Sequence, residues 1–130
     1  MKDMQKIDAN ICLRYLLGDH VILSPKAKEL IEQNTVEVPI EILCEVVYVL
    51  KGHYKIERQN IAVTLKGFFV KTRCILQHKK AVFLALDYFG SNNLDFTDCL
   101  LAGYNEIEKD EIFTFDSKLQ KLLDRIQQSE

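Results

Sequence analysis

The chain has 130 residues and a mass of 15.1 kDa, which is enough for a single domain spanning 1–130 with a sizeable buried core. Hydrophobic residues make up 48% and charged residues 28%, an ordinary globular composition that excludes a disordered or low-complexity chain. The formal net charge of −2 excludes nucleic-acid binding through overall basicity, so any phosphate contact needs a local patch or a metal ion.

The first strand is expected at about residues 4–8, ending at Asp8. Ile7-Asp8-Ala9-Asn10 then hands over to a helix over 10–17, with Asn10 placed to cap or orient the turn. Gly18 suits a left-handed helix end. Ser24-Pro25 reads as a cap and first-turn proline opening a second helix to about 34, and 35–38 as a short strand. Pro39 opens a helix over 40–52 whose apolar positions sweep more than half its circumference, leaving a narrow stripe of Glu41, Glu45 and Tyr48. Glu41 faces the helix dipole in the first turn, whereas Glu45 sits mid-helix with no such role.

Further helices are expected over 57–71 and 78–90, separated by an extended segment at 73–76. The loop Gly90-Ser91-Asn92-Asn93 leads to a helix opened by Asp95 as cap or first-turn acid. On that helix Phe96, Leu100, Gly103 and Ile107 share the buried face, and Asp98, Ala102 and Asn105 the other. Glu108-Lys109-Asp110 breaks it, 111–114 is expected as a strand ending near Asp116, and 118–126 closes the chain as a helix. The alternation implies a small three-layer α/β/α domain with a short, mostly parallel sheet.

No apolar run approaches the ~20 residues of a membrane span, and the first six residues are too polar for a signal peptide, so a cytoplasmic protein is expected. The four cysteines lack close-pair spacing and the histidines are scattered, which argues against zinc and for reduced core thiols. The carboxylates are the chemical signal. Asp8 and Asp116 stand at strand ends, and Asp98 and Glu45 on apolar helices. Converging carboxylates repel unless a cation sits between them, and hard oxygen donors suit Mg²⁺ or Mn²⁺. Such an ion can acidify a water for attack on a phosphodiester.

Ile7-Asp8-Ala9-Asn10 with Arg14-Tyr15-Leu16-Leu17-Gly18-Asp19 resembles a PIN domain. So do Glu45-Val46 in an apolar helix, Asp95-Phe96-Thr97-Asp98-Cys99-Leu100-Leu101-Ala102 and Thr114-Phe115-Asp116. Within that family the chain is most similar to the VapC-like toxins of toxin–antitoxin pairs. The resemblance implies metal-dependent endonucleolytic cleavage of RNA, leaving a 5′-phosphate and a 3′-hydroxyl. It implies Asp8 and Asp98 as direct metal ligands, Glu45 and Asp116 acting partly through water, and Thr114 and Asn10 as supporting polar residues. It also implies a cognate antitoxin as partner.

Two other readings stay open. An aspartyl-phosphate enzyme also places an acid after its first strand, but wants a second acid where Asn10 stands. A PIN-like module that binds RNA or protein without catalysis would keep the fold and lose an acid, and all four acids are present. Lys66, Lys71, Arg73, Lys79 and Lys80 are candidates for a basic rim, against the commoner role of solvated surface charges. Phe68, Phe69 and Val70 cannot all face one core at helical spacing, so one is expected to meet another chain; taken with the resemblance, this implies a homodimer with an apolar groove for an antitoxin helix.

Overall fold

A computed structural model describes residues 4–129. Two short strands, β1 (Gln5–Lys6) and β2 (Val36–Glu37), pair in parallel with Gln5 opposite Val36 and Lys6 opposite Glu37. A single parallel bridge joins Glu37 to Ile75, so the extended segment expected at 73–76 touches the sheet at one residue. Around this small sheet run α1 (Ala9–Leu17), α2 (Leu23–Gln33), α3 (Ile40–Gly52), α4 (Arg58–Lys71), α5 (Lys79–Ser91), α6 (Phe96–Glu108) and α7 (Ser117–Gln128). The result is a small, mostly helical α/β domain whose sheet is parallel as expected.

Local chemistry explains most helix ends. Asp8 accepts the Ile11 N–H at 2.9 Å and Asp116 accepts that of Leu119 at 2.9 Å, satisfying donors that a helix start leaves without partners. Capping of α1 therefore falls to Asp8, and Asn10 lies exposed in the first turn. Gly18 ends α1 in the left-handed conformation at φ 58°, as its sequence position suggests. The start of α2 differs from expectation. His20 Nδ1 accepts the N–H groups of Ile22 and Leu23 at 3.2 and 2.9 Å, while Ser24 Oγ accepts the His20 N–H at 3.1 Å. An imidazole thus does the capping expected of Ser24, and the helix begins at Leu23.

The strand expected at 111–114 does not form. Lys109 turns out of α6 in the left-handed region at φ 64°, and Asn105 Nδ2 donates to the Asp110 carbonyl at 2.9 Å. The next residues keep a strand-like alternation, with Ile112 and Thr114 half-buried and Phe113 and Phe115 fully outside, but no ladder joins them to β1. The alternation was the sequence signal; the backbone pairing it normally accompanies is missing.

One continuous core runs through every helix, from Cys12 and Leu13 through Val46, Leu65, Phe68, Phe69 and Leu86 to Leu122 and Ile126. Phe68 and Phe69 both fit into it, leaving Val70 as the exposed member of that run. On α6, Phe96, Leu100 and Gly103 are buried as expected, but Ile107 is 41% exposed because the helix end leaves the core there. A Cβ at Gly103 would stand 2.3 Å from the Ala81 carbonyl oxygen, so the absence of a side chain lets α6 lie against α5. Arg58 pins the turn between them: its Nη1 donates to the carbonyls of Phe89, Asn92 and Leu94 at 3.2, 2.9 and 2.7 Å, with the guanidinium 4.3 Å above the Phe89 ring. No helix among the described residues is long and apolar enough to cross a membrane.

Candidate active site

The acids singled out by sequence sit on four neighbouring elements. Asp8 precedes α1, Glu45 lies on α3, Asp98 in the first turn of α6, and Asp116 precedes α7. The helices form a chain of contacts, α1 on α3, α3 on α6 and α6 on α7. Of the neighbouring acids, Asp116 acts most strongly on Asp98. Burial pushes the Asp98 carboxyl above the ordinary aspartate range, and the charges of Asp116 and then Asp95 push it further. Asp8 and Glu45 are not among the charges acting on it. Glu45 stands on the exposed stripe of α3 with Glu41 and Tyr48, the face its helical position assigns.

Thr114 supports Asp116 directly: its Oγ1 accepts the Asp116 N–H at 3.0 Å, closing a tight turn that aims the carboxylate. Asp95 is the acid whose part sequence reasoning missed. It occupies the N-cap position of α6, yet its side chain makes no capping bond, unlike Asp8 and Asp116. Its carboxylate is left to act on Asp98. The signal was in the spacing, since Asp95 and Asp98 are three apart and share a helix face. A second acid hidden from sequence is Glu37, buried beside the core, which meets Lys6 at 3.8 Å and accepts from Gln77 Nε2 at 2.9 Å.

The donors suit a hard divalent cation. All are carboxylate oxygens, and the two capping aspartates use only Oδ1 for their helices, leaving Oδ2 of each for a ligand. Among the described residues, no three His, Cys, Asp or Glu side chains stand close enough to hold an ion. The carboxylate donors fit a divalent metal by their chemistry, while the side chains stay spread, with Asp116 and Asp95 the charges that act on Asp98. Thiol chemistry has no place here, because burial pushes Cys12 and Cys99 up to about 12 and both side chains are fully enclosed.

The basic residues at 66–80 are distributed rather than gathered at the acids. Lys66 pairs with Asp87 at 2.6 Å, and Lys79 lies 5.5 Å from the Phe83 ring. Lys71 and Arg73 line a cleft of about 820 Å³ with Lys28, Tyr15 and Gly18, at the end of α1 opposite Asp8.

No curated protein and no solved structure matches the chain. The family model for the PIN domain matches residues 7–124, a span that takes in Asp8, Glu45, Asp98 and Asp116. PIN domains are generally nucleases and typically depend on a divalent metal. With that match covering most of its length, the chain belongs to the PIN domain family.

Proposed function

We propose that this protein is a Mg²⁺- or Mn²⁺-dependent endoribonuclease, a VapC-like toxin acting on cytoplasmic RNA and restrained by a cognate antitoxin. The observation that carries the reading is Asp98, half-buried and pushed above the ordinary aspartate range by burial and by Asp116 and Asp95. A fold that gathers like charges at an inter-helix edge spends stability there, and a cation site is the usual return.

Asp98 and Asp116 would hold the ion, with Asp8 and Glu45 contributing from α1 and α3 directly or through water. The ion, when bound, supplies an acidified water and charge neutralisation at a phosphodiester. The chain's own residues do the rest. Thr114 and the α7 cap fix the Asp116 carboxylate, the α1 cap fixes Asp8, and Asn10 on the first turn of α1 would bind a substrate oxygen. Attack by water in line with the leaving oxygen yields a 5′-phosphate and a 3′-hydroxyl.

The spread of the four acids favours one rival, a PIN-like module that binds RNA or protein without cutting. One assay separates them. Purified protein should cleave single-stranded RNA with Mg²⁺ or Mn²⁺ and lose all cleavage in EDTA, and Asp98→Asn should abolish it. Undiminished cleavage by metal-free protein sinks the mechanism, and RNA binding without cleavage at saturating Mn²⁺ favours the module.

Assembly is part of the proposal. Val63 and Val70 are 66% and 72% exposed and lie seven residues apart on one face of α4, an apolar strip suited to a homodimer. An amphipathic antitoxin helix is the further partner we assign.

A further inference from the structure

Between α3 and α6 lies a second concavity, of about 390 Å³, walled by Cys44, Val47, Phe89 and Phe96 and floored by Arg58. Its rim carries Tyr48, Lys51, Asp95 and Thr97. We propose that this cavity is a base-recognition pocket, which holds one unpaired nucleobase of an RNA strand beside the phosphate at the acids and prefers guanine there. The proposal rests on the nuclease reading and names its substrate as single-stranded, with one base identified.

Placement carries the first part. Tyr48 follows Glu45 by three residues on the exposed stripe of α3, and Thr97 adjoins Asp98 in the first turn of α6. The pocket and the proposed metal site therefore share both walls. Asp95 lines the cavity and lies one helical turn before Asp98, so a phosphate held by the acids stands beside the cavity's mouth.

Shape and chemistry carry the second part. The walls are aromatic and aliphatic, the lining that a flat π-face requires. Tyr48 is 79% exposed on the outer stripe of α3, a ring available for stacking. Arg58 is anchored through Nη1 by three backbone carbonyls and lies over the Phe89 ring, so it acts as a fixed floor. Asp95 faces the rim with a carboxylate its own helix does not use. A carboxylate accepts from N–H groups, and guanine alone offers two side by side, N1–H and the 2-amino group. Uracil would set its carbonyl oxygens against that carboxylate. The Thr97 hydroxyl can serve either edge, and Lys51 is placed for a flanking phosphate.

The test reads binding and cutting separately. Short single-stranded RNAs carrying one 2-aminopurine are titrated into the full-length protein in EDTA, and quenching reports stacking. Wild type should quench the probe, Tyr48→Ala should bind about tenfold or more weaker with little quenching, and Tyr48→Phe should restore both. In Mn²⁺, cleavage by wild type should be faster beside guanine than beside uracil, and Asp95→Asn should erase that preference, with thermal melts reporting separately any stability gained by relieving its repulsion of Asp98. Binding and quenching indifferent to Tyr48→Ala, or a base preference indifferent to Asp95→Asn, overturns the pocket while metal-dependent cleavage stands. Tyr48-dependent quenching without any cleavage keeps the pocket and removes the nuclease.

Discussion

The seam between α5 and α6 and the segment 109–116 lie next to each other in the chain and are built on opposite principles. At the seam, Gly103 meets the Ala81 carbonyl with no room for a methyl group, and Ala85, Leu86, Phe89, Phe96 and Leu100 are buried around it. The segment that follows shows Phe113 and Phe115 to solvent and is held by a few polar bonds, Asn105 to Asp110 and Thr114 to Asp116. Asp98 stands on the packed side and Asp116 at the end of the loose side. These two acids, which act on one another electrostatically, are thus fixed by different forces, one by core packing and the other by local hydrogen bonds.

Breaking the packed side should give the largest effect. Gly103→Val places a branched side chain against backbone that cannot yield, and should cost about 3 kcal/mol, the upper range for overpacking. That corresponds to a melting temperature lower by about 10 °C, measured by calorimetry or circular dichroism. A change within about 1 °C would mean that α6 does not lie against α5 this closely.

Asp98→Asn sharpens the comparison from the other side, with a smaller effect of opposite sign. The folded-state carboxyl is raised, so folded protein binds more protons than unfolded between the ordinary aspartate value and the raised one. Stability of the metal-free protein should therefore fall as pH rises through that interval. The asparagine variant should lack this slope, be at least as stable at neutral pH, and respond less to Mg²⁺. Melts across pH 3–8 (a range spanning the ordinary carboxylate values) decide. A variant that is less stable at every pH, with the Mg²⁺ response intact, would make Asp98 a structural residue.

Val70→Lys touches neither side and should shift stability by no more than about 0.5 kcal/mol. Its effect should appear in mass alone, turning a dimer into a monomer by light scattering. Wild type already monomeric at about 50 µM, where a standard interface holds, defeats the dimer.

The contrast also explains what could be read from sequence. The boundaries of α3 were legible to the residue, because a proline start, a first-turn acid and a terminal glycine frame a wide apolar arc. The seats of Asp8, Asp98 and Asp116 at element ends followed from the same apolar-to-polar switches. The strand at 111–114 was misread because alternation predicts which way side chains point, not whether a neighbouring backbone is there to pair with. His20 went unseen as a cap, since an imidazole caps only through one tautomer and one rotamer. Asp95 was assigned to its helix by residue preference, and the structure shows the preference unexercised.

Arg58 has a consequence for how the molecule opens. Its three acceptors lie 31 to 36 residues further along the chain, so the α5–α6 turn is closed by a residue outside both helices. Local fraying of that turn would strand a guanidinium among the acceptors it has lost, at a cost far above an ordinary loop opening. The start of α4, the end of α5 and the start of α6 should accordingly exchange their amide protons as one cooperative unit. The helix that carries Asp98 then loosens only when the domain as a whole does, while residues 109–116 exchange on their own and much faster.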